Sequence, residues 1–323
     1  MIAFLLRRAV HTLVVVVAVA TLVFALIHAA PGDPFAGSLD NPNVTEEIRA
    51  RWRASYGLDQ PLPVQYGRYL SRLAKGDLGW SFSRQQPVSA VIRDSLPRTL
   101  LLVGLALVLA FAGGMALALA QTRRRGGPFD RAAGGLSLMV LSIPDFWLGI
   151  LLLLVFSYWL PLFPVGGMTD AVEYPYLGIG GRLLDRAHHL VLPLATLVLA
   201  AGAAVARYQR AALLEVLPRD YIRSARAKGV EERVVVRRHA LRNALMPAIT
   251  LLGTSLPALV GGVVFVEKVF SWPGMGLVAV DAVSSRDYPL VLAVVIVGTI
   301  VVAAGNLLAD LLYRAADPRL RDA

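Results

Sequence analysis

The residues best suited to do work in this chain lie between Arg207 and Asn243, an insert carrying ten Lys and Arg residues. Its centre reads Asp220-Tyr-Ile-Arg-Ser-Ala-Arg-Ala-Lys-Gly229. The chemistry offered is recognition rather than bond breaking, because a short cationic helix that stops at a glycine presents charge and shape to a second body. Asp220 suits the N-cap, Tyr221 to Lys228 supply two turns of good helix formers, and Gly229 suits the left-handed C-terminal position. Glu231 and Glu232 favour the positive end of a second helix running to about Asn243, with Arg237, Arg238 and Arg242 toward its C-terminal end. On the first helix Tyr221, Ala225 and Lys228 share one face, and Arg219, Arg223 and Arg226 line another. Small Ala225 and Ala227 allow a partner to come close. The same composition suits a segment lying on anionic headgroups, so a protein partner and lipid both fit.

Other chemistry-bearing residues are sparse. Asp145 follows Pro144 inside an apolar run, where an ionisable group calls for a partner, a water path or a function. Two readings stand: a kink at Pro144 whose freed amides are satisfied by Ser142 or Asp145, or a cavity in which Ser142, Asp145 and Phe146 meet a passing solute. Asn306 and Asp310 lie one turn apart near the end of the last run and suit bonds to neighbouring helices or loops. His188 and His189 are adjacent, so a helix would point them to different faces, which argues for an interfacial polar pair over a metal site. With no cysteine there is no thiolate chemistry and no disulfide. None of the three lysines, Lys75, Lys228 and Lys268, follows a glycine or precedes Ser or Thr, so the chain holds no phosphate-binding P-loop. H-E-x-x-H and G-x-S-x-G are likewise missing, leaving no visible catalytic set.

The elements that must position these residues are membrane helices. Apolar residues make up 56% of 323, and the mean hydropathy is +0.61, beyond the usual range of soluble domains. Six runs are long enough to cross a bilayer: Ala9 to Ile27, Leu100 to Ala120, Leu136 to Leu160, Leu190 to Ala206, Ala244 to Val266 and Leu290 to Leu312. The first follows Arg7 and Arg8 as a secretory signal would, but its 19 membrane-compatible residues exceed a signal core, which favours an uncleaved helix. With six spans, 19 of the 32 basic residues fall on one side, and both termini are expected to be cytoplasmic. The net charge of +10 is concentrated at membrane ends and in the one insert, which speaks against nucleic acid as a partner. Between the first two runs, residues 31–98 form a long outer segment with helical patterns at Val44 to Tyr56 and Val64 to Leu73; it is too small for a large core of its own. Gly113, Gly114, Gly261 and Gly262 sit within glycine- and alanine-rich runs that permit close helix contact in lipid, within the chain or with a second subunit.

Taken together, these residues resemble a known family. The insert is similar to the EAA loop of ABC importer permeases, with Arg223-Ser224-Ala225 at the triplet and Gly229 as the glycine; the family's glutamate is absent. Arg commonly stands there in the peptide and nickel importer branch, which Arg238-His-Ala-Leu-Arg-Asn-Ala-Leu-Met-Pro247 also resembles. The likeness continues through Pro31-Gly-Asp-Pro34, Tyr56-Gly-Leu-Asp-Gln-Pro-Leu62, Gly76-Asp-Leu-Gly-Trp-Ser81, Leu96-Pro-Arg-Thr-Leu100, Ser142-Ile-Pro-Asp-Phe-Trp-Leu-Gly149, Glu267-Lys-Val-Phe-Ser-Trp-Pro-Gly-Met-Gly276 and Arg286-Asp-Tyr-Pro289. The resemblance is to the B-type permease of dipeptide and oligopeptide importers.

It implies an all-α integral membrane protein with six transmembrane helices, the type I ABC importer permease fold and a long periplasmic segment between helices 1 and 2. The expected organisation is residues 1–30 with helix 1, a periplasmic segment at 31–98, and a permease domain at 99–323 containing the coupling loop 207–243. It further implies a bacterial cytoplasmic (inner) membrane location, a similar second permease, two ATPase subunits and an extracytoplasmic substrate-binding protein, with membrane lipid around them. ATP and Mg would be used by the ATPase subunits and no cofactor would be bound by this chain. Residues Asp220, Tyr221, Arg223, Ser224, Ala225, Arg226, Ala227, Lys228 and Gly229 would couple to the ATPase. Short peptides are the expected cargo; nickel, glutathione or another small solute, or an ATP-independent channel or carrier, are the alternatives.

Overall fold

The computed structural model describes residues 2–29, 45, 47, 60–241, 244–245, 248, 251–252 and 263–316. The expected helix Val44 to Tyr56 lies outside these apart from Thr45 and Glu47, as do most of the fifth run and the glycines Gly261 and Gly262. Apart from one short hairpin, the described elements are helical. The chain divides into two compact units, Met1–Thr99 with Pro273–Ala303 and Leu100–Trp272 with Ala304–Ala323.

In the first unit, α1 (Ile2–Ala29) is apolar almost throughout. Helix α2 (Leu62–Ala74), introduced by Pro61 and matching the expected pattern, lies against it. Phe24 stacks on Tyr69 with centroids 5.8 Å apart, and the hydroxyls of Thr21 and Tyr66 share a hydrogen bond. A two-residue ladder, β1 (Trp80–Ser81) with β2 (Gln86–Pro87), leads directly into α3 (Val88–Arg123). The first turns of α3 pack Val88, Val91 and Ile92 against Met275, Val278 and Ala282 of α9 (Met275–Ser284) and Leu290 of α10 (Tyr288–Ala316). Residues 88–98, read as part of the outer segment, are therefore the opening turns of the second apolar helix.

The second unit holds the rest of α3, α4 (Pro128–Leu141), α5 (Asp145–Leu153), a single wide turn at Leu154–Trp159 and α6 (Ile179–Val216). Leu102, Ala106, Leu192, Leu197, Phe270 and Trp272 form its main apolar core. Among the described residues, four helical stretches are long and apolar enough to cross a membrane: Leu6–Ala29, Val88–Arg123, Ile179–Val216 and Tyr288–Leu311.

The third run departs from expectation. In place of one bent helix from Leu136 to Leu160, the chain stops at Leu141 and restarts at Asp145, and the two pieces meet at 106°. Counted as one broken span, the pair makes a fifth crossing. The cause is local: the residue before a proline is driven out of the helical region, so Ile143 cannot continue α4. Pro144 itself is extended (φ −59, ψ 140).

Candidate functional site

The insert is built onto the end of α6. Leu213, fully buried, anchors that helix in a small apolar cluster with Ala118, Val235 and Ala240. After a turn at Leu217 and Pro218 the chain forms α7 (Asp220–Ala227), a helix of 8 residues. Arg219, not Asp220, occupies the N-cap, with φ −64 and ψ 148. Asp220 opens the helix, where its charge still complements the dipole, and its carboxylate takes Arg223 Nη1 at 3.3 Å.

Helix α7 turns one narrow face inward. Ile222 is fully buried and Ala225 nearly so, both within the Leu213 cluster. Burying an isoleucine side chain contributes about 2 to 3 kcal/mol, enough to hold two turns of helix that would be marginal alone. This corrects the helical wheel read from sequence. Ala225 faces the chain's own core rather than a partner, and Ile222 is the residue missed. Its spacing of three from Ala225 was the available signal. Tyr221, Arg223, Ser224, Arg226, Ala227 and Lys228 are exposed.

The stop is as expected: Gly229 takes φ +75, and Val230 N donates back to Ala225 O at 3.3 Å. A side-chain clamp crosses this turn. Arg226 Nε donates to Glu232 Oε2 at 3.0 Å and Nη2 to Oε1 at 2.7 Å. Those two bonds hold the Glu232 carboxyl below the usual carboxylate range. The second helix starts at Glu232 and is helical through Leu241, close to the expected end at about Asn243. Helix α8 (Glu232–Val234) widens at once into a π-turn at Val235–Ala240, while Arg242 and Asn243 lie outside the described residues.

Two further supports were not read from sequence. Arg210, on α6, reaches Asp130 in the first turn of α4 through Nε at 2.8 Å and Nη2 at 2.7 Å. Asp130 is 5% exposed and also accepts Gly126 N at 2.9 Å, fixing the α3 to α4 turn. Immediately before Arg210 on α6, the fully buried Gln209 donates to Ala244 O at 2.9 Å. In the other unit, Asp287 is 1% exposed, and its Oδ2 accepts Ser81 Oγ at 2.6 Å, Ser83 N at 2.9 Å and Ser83 Oγ at 2.7 Å.

The candidate pathway residues sit at the break. Ser142 caps α4, and its hydroxyl donates to Leu138 O at 2.8 Å, not to a freed amide. The amides of Trp147 and Leu148 bond instead to Pro144 O at 2.9 and 3.0 Å. Asp145 is half-buried in the first turn of α5, and Phe146 is exposed with Phe265 at 6.1 Å. Of the packing candidates, Gly114 lies against α6, where a Cβ would meet Gly202 O at 2.7 Å, whereas Gly113 faces open space. Asn306 and Asp310 are half-buried on α10. His188 Nε2 lies 2.8 Å from Leu162 O and His189 Nδ1 2.9 Å from Asp185 O, so the two rings are held apart on separate partners.

Long apolar helices that carry a polar, structured insert are features of a membrane permease subunit. The description "binding-protein-dependent transport system inner membrane component" matches residues 91–322, and its N-terminal counterpart matches residues 1–103. Oligopeptide transport system permease protein AppB of Bacillus subtilis is 39% identical over 99% of both chains. The glutathione transport system permease protein GsiC of Salmonella paratyphi A is 37% identical, again over 99% of both. A solved methionine ABC transporter, MetNI, has a chain of the same fold, with TM-score 0.55 at 18% identity, covering 71% of this chain and 97% of that one. The chain belongs to the family of inner membrane permease components of binding-protein-dependent ABC transport systems.

Proposed function

We propose that this chain is one of two permease subunits of an ATP-driven importer of short peptides, and that α7 is where force from the ATPase subunits enters it. The observation that carries this reading is the division of α7 into a buried Ile222 and Ala225 face and an exposed Tyr221, Arg223 and Lys228 face. A helix rooted in the core on one side transmits a push received on the other. Lys75, Lys228 and Lys268 fit no phosphate loop, so hydrolysis of ATP with Mg belongs to separate subunits. A similar second permease completes the pathway, an extracytoplasmic binding protein delivers cargo, and the two permeases rock between openings. Both termini and the insert face the cytosol, following the distribution of Lys and Arg.

Peptide is favoured as cargo because AppB is an oligopeptide permease and other full-length relatives, such as one from Brucella suis at 39% identity, carry peptide permease names. The test is transport by the assembled complex. Replacing Tyr221 and Arg223 with Ala should uncouple ATP hydrolysis from peptide uptake while the chain stays in the membrane. Undiminished uptake, or uptake by this chain alone without ATPase subunits, would sink the proposal.

A further inference from the structure

At the inner end of α3 the insert closes over a cleft of about 590 Å³. Three separate stretches build it: the end of α3 with Arg123 and Arg125, the turn at Leu217 and Pro218, and the α7 to α8 segment with Arg226, Glu232 and Arg233. Four guanidinium groups face one carboxylate, and that carboxylate is already taken by Arg226. Among the described residues, Arg123 and Arg233 have no carboxylate partner. A cluster of like charges converging on one concavity is unfavourable unless an anion neutralises it, and planar guanidinium groups match phosphate oxygens in pairs.

We propose that this cleft binds a phosphate-bearing anion, the headgroup of an acidic phospholipid. Two features select lipid over a soluble phosphate. Leu217, Pro218 and Val236 give the cleft an apolar wall suited to a glycerol backbone and the start of an acyl chain. Arg123 is also the last residue of a 36-residue helix whose preceding turns are apolar, which puts the cleft where such a span leaves the hydrocarbon. The site takes in Arg226 of α7 but not Tyr221, Arg223 or Lys228, the exposed face assigned to coupling.

The test uses the full-length chain in detergent, with native mass spectrometry reading retained lipid. Phosphatidylglycerol should be kept in preference to phosphatidylcholine, whose headgroup carries no net charge. Arg123→Gln with Arg233→Gln should weaken phosphatidylglycerol retention roughly thirtyfold, at about fivefold per cation near an anionic surface. Arg123→Lys with Arg233→Lys should restore most of it, and Arg84→Gln, in the other unit, should leave it unchanged. Competition assigns the source: lipid that survives millimolar inorganic phosphate identifies the headgroup, and lipid displaced by it identifies a soluble phosphate in the same cleft. Equal retention of the two lipids, or unaltered retention by a Gln double variant that unfolds at the wild-type temperature, overturns the proposal.

Discussion

Arg226 holds Glu232 by both carboxylate oxygens, at 2.7 and 3.0 Å, and so bridges the turn at Gly229 with a second, side-chain link. It acts beside the packing of Ile222 and Ala225 against Val235 and Ala240, which ties α7 to the following helix on the buried side.

The pair is partly exposed, at 41% and 59%, so a double-mutant cycle between Arg226→Ala and Glu232→Ala should give a coupling of about 0.5 kcal/mol at neutral pH. Its pH dependence follows from the depressed Glu232 carboxyl. The contribution is fully present above the ordinary value of 4.5 and is lost as pH falls below it, toward the lower folded value. Thermal unfolding in detergent between pH 7 and pH 3.5 measures it. A stabilisation that grows on acidification would contradict the assignment.

Ile222→Ala should loosen α7 without touching its exposed face. Truncating a fully buried isoleucine costs about 2 to 4 kcal/mol, here concentrated in two turns of helix. Amide exchange across residues 220–227 should accelerate well beyond that of α6. Equal protection in both forms would mean that α7 is rooted elsewhere.

Adjacent glycines on α3 should respond oppositely to the same substitution. Gly113→Ala meets nothing within 4 Å and should gain up to about 1 kcal/mol from helix propensity. Gly114→Ala drives a methyl to 2.7 Å from Gly202 O and 2.8 Å from Val205 Cβ, and should lose about 1 to 3 kcal/mol. Melting temperatures of the two variants in one detergent decide it.

Asp287→Ala should release the hairpin. Two serine hydroxyls and one amide lose their common acceptor in a site that is 1% exposed, at a cost of about 2 to 4 kcal/mol. Limited proteolysis should then cut between Gly79 and Val88 in the variant and spare the parent.

Legibility in the sequence followed the range of the interactions. Helix α7 and its glycine stop, though not its N-cap, were readable because propensity and left-handed turns are settled within a few residues, and the long apolar spans because bilayer thickness sets their length. The break at Ile143 was underestimated: Pro144 announces a lost hydrogen bond, but only the packed structure sets the angle at 106°. Contacts between distant residues were invisible. Asp130 with Arg210 and Asp287 with Ser81 are separated by 80 and 206 positions, and no local pattern links them. The Ile222 face was missed for a related reason: a short helix offers too few residues for its apolar stripe to stand out against five charged neighbours, Arg219, Asp220, Arg223, Arg226 and Lys228.

Helix α6 runs for 38 residues, about 57 Å, from the loop gripped by His188 to the turn that launches α7. Pro193 lies inside it without ending it, so the helix is one continuous element from end to end. On the proposed coupling, a nudge delivered near Leu213 would arrive at the other end of α6 as tilt, much as a tiller turns a rudder.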